Sequence, residues 1–105
     1  MDTETYELEG QTFEWDRNKN LSNAKKHGIT FKVAARAFFD PYAETYDDIE
    51  HSQDEDRFLL IGMDERERIL TVCHCLRDKD NKEIIRIVSA RTASKTEQEI
   101  YEEGK

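Results

Sequence analysis

Apolar residues are sparse along this chain and fall into short patterned groups, so the elements they predict separate cleanly. From Ile69 to Arg77 and from Glu83 to Arg91, two runs rich in β-branched residues flank the turn formers Asp78 to Lys82, which predicts an antiparallel hairpin. Upstream, Phe13 and Trp15 alternate with polar neighbours over Gln11 to Trp15, the mark of a half-buried strand. Tyr42 to Tyr46 and Arg57 to Met63 read as further strands, the second joined to the hairpin by the polar turn Asp64 to Arg68.

Helical period appears in three places. Asp16 is placed to cap a helix from Arg17 to His27, which Gly28 can end in the left-handed conformation. Its apolar content is only Leu21 and Ala24, so it must be anchored partly by Trp15 and Ile29 at its ends. Thr30 opens a second helix, with Phe31, Ala34, Ala35, Phe38 and Phe39 on one stripe, ending before Pro41. Ser94 and Glu97 have capping-box spacing and open a short helix through Ile100 and Tyr101. The order predicts an α+β fold: a mainly antiparallel twisted sheet of about five strands, packed against two N-terminal helices, with a short C-terminal helix. Residues 1–12 are read as an acidic tail or edge segment, and 13–105 as a single domain.

With 36% hydrophobic and 38% charged residues in 105, the chain can build one core and no more. The net charge of -8 is concentrated in residues 1–10, 44–56 and 97–105, which leaves the rest of the chain net positive. A positive patch is therefore compatible with the acidic total, and the acidic segments suit a basic partner. The apolar runs are too short to span a bilayer, and the N-terminus lacks a basic and an apolar leader region, so the expectation is a cytoplasmic protein without membrane contact. Cys73 and Cys75 are too close in sequence for an unstrained disulfide and are expected as reduced thiols. A zinc site at Cys73, His74 and Cys75 is rejected, because strand alternation points His74 away from both sulfurs; no metal or cofactor is expected.

The residues Phe13 to Asp16, Lys19, Asn23, Lys26 to Gly28, Phe31, Ala35, Phe38 to Pro41, Arg57, Phe58, Ile61, Gly62, Arg86 to Arg91, Glu97 and Tyr101, taken in order and spacing, resemble the BrnT toxin family. The resemblance covers roughly residues 13 to 101. It implies a bacterial ribonuclease toxin of RelE-like fold, held in a hetero-oligomer by a BrnA-like antitoxin through which alone it reaches operator DNA. Cys73, Cys75 and Leu76 depart from the valine, threonine and glutamate expected of many relatives, which puts a carboxylate role at position 76 in doubt.

RNA cleavage without a metal needs a proton acceptor for the 2′-hydroxyl and cations around the phosphorane oxygens. His74 has the side-chain type suited to proton transfer near neutrality, and Arg77, Arg86 and Arg91 can give phosphate planar, doubly donating contacts. Alternation puts Leu70, Val72 and His74 on one face and Cys73, Cys75 and Arg77 on the other. It also separates Arg86 from Ser89 and Arg91 unless a bulge or strand end intervenes. Lys26, Arg57, Lys95 and Tyr101 are candidate RNA contacts. Each has a plainer reading: His74 as a core histidine, Arg86 as an ion-paired structural group, Arg77 and Arg91 as solvated strand ends, and Arg57 as half of a surface ion pair. Likewise Lys26 complements a helix dipole, while Lys95 and Tyr101 hold the last helix. Two functions stand against each other: an endoribonuclease toxin, and a non-catalytic module that acts only by engaging a partner protein.

Overall fold

Strands from the two ends of the chain meet in the middle of one sheet. In this computed structural model, which describes residues 2–105, β1 (Thr3–Leu8), β2 (Gln11–Asp16), β3 (Glu44–Asp47), β4 (Phe58–Met63), β5 (Ile69–Lys79) and β6 (Lys82–Thr92) form a six-stranded sheet in the order β1-β2-β6-β5-β4-β3. The sheet is mixed, since β2 runs parallel to β6 while every other pairing is antiparallel. The sheet is mainly antiparallel as expected, but it has six strands where about five were expected, and it includes one parallel pairing. The additional strand is β1, whose six residues pair with β2 through a turn at Glu9 and Gly10, both at positive φ. The parallel contact arises because β2 leaves the sheet into the helices and its neighbour arrives only at the far end of the chain.

The helices α1 (Arg17–His27) and α2 (Phe31–Ala35) begin where their caps predict: the Asp16 carboxylate accepts from the Asn18 and Lys19 amides, and the Thr30 hydroxyl from Val33. Gly28 closes α1 at φ 70°. The single long second helix expected up to Pro41 is shorter than its stripe, with α2 giving way to a 3₁₀ turn over Arg36–Phe39. There the Ala37 carbonyl lies against Gly62 of β4, only 2.7 Å from where a Cβ would sit, so helix and strand meet backbone to backbone. The core, on this face, joins Phe13 and Trp15 of β2 to Phe31, Ala34, Ala35, Leu70, Val72, Ile85, Ile87 and Ala90.

α1 is flanked as expected by the buried core residues Trp15 and Ile29 but is held along its length by a polar side chain. Leu21 is 62% exposed, and the helix's one buried residue is Asn23. The Asn23 amide donates to the carbonyls of Ile29 and Ala90 and accepts from the Ala90 amide. It thus takes the place of a neighbouring strand along the part of β6 that β2 has left. The third helix, α3 (Lys95–Glu103), carries the predicted Ser94–Glu97 capping box. It lies on the opposite face from α1 and α2: Glu97 accepts from Thr71, which alternates with the core residues Leu70 and Val72.

Candidate functional site

One extra residue in β6 decides which side chains share the open face. Cys73 pairs with Ser89 but His74 with Ile87, leaving Val88 as a bulge. The bulge inverts alternation along β6, so Arg86 on one side of it and Ser89 and Arg91 on the other all point to the face that β5 presents through Thr71, Cys73, Cys75 and Arg77. Arg86 and Arg91 therefore do share a face, by the route that strand periodicity alone forbids. It is the face opposite His74.

His74 points into the core. It is 4% exposed, stacks edge-on against Phe38 with ring centroids 4.8 Å apart, and donates from Nδ1 to the Val72 carbonyl at 3.2 Å. Burial pushes its pKa down and the Val72 bond only partly opposes this, so the neutral ring is favoured. The expected convergence of His74 with Arg77, Arg86 and Arg91 does not occur.

The open face has its own histidine. The segment after β3 makes one 3₁₀ turn, Ile49–His51, which brings His51 over Asp48, three residues back. Its Nδ1 stands 2.9 and 3.0 Å from the two Asp48 carboxylate oxygens. Asp48 is buried and also receives the Cys73 thiol at 3.7 Å. Burial, with Asp48 second, raises that thiol to about 11, so Cys73 remains a protonated, inert floor. Ser52 closes the loop, donating to the Asp48 carbonyl and accepting from the Arg57 amide. Asp48, Glu50, His51, Arg57, Ser89 and Arg91 border a cleft of about 380 Å³.

The remaining candidates fall as follows. Arg91 lines the cleft and donates through two nitrogens to Glu97, at 2.6 and 3.0 Å. Burial pushes the Glu97 carboxyl up, but bonds from Arg91, the Ser94 amide and Thr71 outweigh it and hold it down to about 2. Arg57 also lines the cleft, and among the described residues its guanidinium has no carboxylate within ion-pair distance. Arg77 is exposed and paired with Glu55 at 2.7 Å; Arg86 is tied to buried Glu14 at 2.7 Å, beyond the bulge. Tyr101 is 1% exposed and donates to Asp40 at 2.6 Å, which ties α3 to the residue that ends the 3₁₀ turn. Lys95 is exposed in the first turn of α3, and Lys26 near the end of α1. His51 lies in an acidic segment whose composition marks only a loop; its spacing of three from Asp48, followed by Ser52, is the signal that a single helical turn would pair them.

An oriented histidine, two arginines and a hydroxyl thus border one open cleft, and a family comparison gives the class of protein. The profile of the family described as "Ribonuclease toxin, BrnT, of type II toxin-antitoxin system" matches residues 15–97. The chain belongs to this family of ribonuclease toxins. Its fold is similar to that of the Brucella abortus ribonuclease toxin BrnT, known from a crystal structure at 1.1 Å, with a TM-score of 0.55 and 23% identity over 77% of this chain and 94% of that one. No curated protein matches the chain. No helix among the described residues is long and apolar enough to cross a membrane.

Proposed function

We propose that the chain is a metal-independent endoribonuclease whose open-face cleft cleaves RNA by attack of a 2′-hydroxyl on the adjacent phosphorus. The observation that carries this reading is the meeting of the Asp48–His51 pair with Arg57 and Arg91 in one cleft. With Nδ1–H donated to Asp48, the His51 Nε2 lone pair is free to accept the 2′-hydroxyl proton, and the carboxylate stabilises the imidazolium that forms. Arg57 and the N–H groups of Arg91 not used by Glu97 donate to the phosphorane oxygens as charge builds on them. The bond from phosphorus to the 5′-oxygen then breaks, leaving a 2′,3′-cyclic phosphate; the departing oxygen takes a proton from water, and the proton held on His51 restores that water. Arg91 keeps its expected role, and His51 takes the one first assigned to His74. Arg77 and Arg86 brace the sheet through their carboxylates.

The partner that silences this cleft is, in the same proposal, a BrnA-like antitoxin that also carries operator binding. A type II system supplies a protein antitoxin, and the acidic loop over residues 47–56 offers a basic partner complementary charge. The non-catalytic reading is favoured by one observation, that Arg77, Arg86 and Arg91 each already hold a carboxylate. Labelled RNA incubated with purified protein and a chelator separates the two. Cyclic-phosphate ends from the wild type, lost in Arg57→Gln and His51→Ala proteins that remain folded, are the expected result. An inert wild type across a range of salt sinks the ribonuclease reading in favour of the binding module.

A further inference from the structure

A second cavity, of about 330 Å³, adjoins the cleft. Asn18, Lys19, Ser22, Lys26 and His27 of α1 form one wall, and Val88 and Ser89 form the other. Val88 and Ser89 also border the cleft of His51 and Arg91, so the two cavities are one groove that turns over the bulge. We infer that the α1 end of this groove is a binding subsite for the phosphodiester backbone of RNA flanking the scissile phosphate. The inference rests on the ribonuclease proposal and extends it to substrate length.

Several observations point this way. Lys19, Ser22 and Lys26 stand at i, i+3 and i+7, one face of the helix, and the lysines are about 10 Å apart along the axis, room for more than one phosphate of a single strand. Neither lysine has a carboxylate within ion-pair distance among the described residues, whereas the arginines of the neighbouring strands do. The helix dipole accounts for Lys26 in the last turn but opposes Lys19 in the first, where no acidic residue is present. Packing does not require this helix to be polar all round either, since Asn23 alone is buried. At the far end, the cavity bordered by His51 and Arg57 is also lined by the carboxylates of Glu50, Asp54 and Glu55, which disfavour a continuing RNA backbone there and direct the strand toward α1.

The test uses the full chain carrying Lys19→Gln with Lys26→Gln, and a charge-matched control carrying Lys25→Gln with Lys32→Gln, which lie outside the groove. The binding probe is a short 2′-O-methyl oligoribonucleotide, which cannot be cut. Loss of two phosphate contacts is expected to weaken binding at least tenfold at low salt and to reduce the slope of log K against log salt by about 1.4, with the control changing much less. In parallel, the advantage of a long RNA over a dinucleotide in kcat/KM should shrink by a similar factor. An unchanged slope, or an equal change in the control, overturns the subsite even if cleavage is normal. Binding that shows the expected slope from a protein that cuts nothing upholds the subsite and overturns the ribonuclease proposal.

Discussion

His74 and His51 lie on opposite faces of the sheet, and their surroundings assign opposite tasks to the same side chain. His74 is enclosed by Phe38 and Phe58 and satisfied by a backbone carbonyl of its own strand. His51 is mostly in solvent, with one nitrogen fixed by a buried carboxylate and the other free. A ring in the first setting contributes packing and resists charge; in the second it can exchange a proton. Residue type therefore nominates candidates, and environment chooses between them.

The contrast is most sharply broken by removing each ring in turn. His51→Ala is expected to lower cleavage by about 10² to 10⁴ with little effect on thermal unfolding, and His74→Ala to lower the unfolding temperature while any protein that stays folded still cuts. The reverse pattern in RNA-cleavage and melting assays would return the proton transfer to the core face. Next in size, Asn23→Ala orphans the Ala90 amide and two buried carbonyls and should cost about 2–3 kcal/mol in urea unfolding. An effect below half a kcal/mol would mean that α1 is held by something other than this side chain.

On the open face, Glu97→Gln removes a carboxylate whose pKa is depressed in the folded chain, from the ordinary 4.5 to about 2. Such a group stabilises the fold above about pH 4.5, and the contribution is lost as pH falls toward 2. Because the pair is partly open to solvent, the effect should be about 1–2 kcal/mol, visible as a loss of the wild-type advantage at neutral pH that closes in acid. The smallest effect belongs to His74, whose pKa is lowered by burial. The unfolded chain takes up the proton first, so stability present above about pH 6.5 should decline as pH falls below it. His74→Phe should flatten that decline in a melting-temperature profile; a decline of unchanged steepness would assign it to another group.

How far these assignments were legible in the sequence follows from what each depends on. The β5–β6 hairpin, both caps of α1 and the capping box of α3 are local, written in residues next to the atoms they satisfy, and all are found in place. The strand β1 was hidden because Thr3, Thr5 and Glu7 alternate with another acid, Glu4, which disguises Tyr6 and Leu8 as part of a charged tail. The parallel pairing of β2 with β6 depends on tertiary assembly and has no local trace. Val88 sits in a continuous β-branched run with no glycine to mark a bulge, so the face shared by Arg86 and Arg91 was readable only as a condition. His51 needed a single turn of helix inside a segment whose composition says loop.

That bulge also sets a rule for tolerated change in the gene. β6 keeps its inward and outward residues correct on both sides of Val88 only because one position is spent out of phase. Removing the Val88 codon would restore regular pairing and leave every other residue on its present face, Ile85, Ile87 and Ala90 inward and Arg86, Ser89 and Arg91 outward. A one-residue deletion can therefore be absorbed at the bulge, whereas a one-residue insertion beside it would add a second unpaired position. Insertions among homologous chains should accordingly collect at the Asp80–Asn81 turn and in the 47–56 loop, while a one-residue deletion within β6 should fall at Val88.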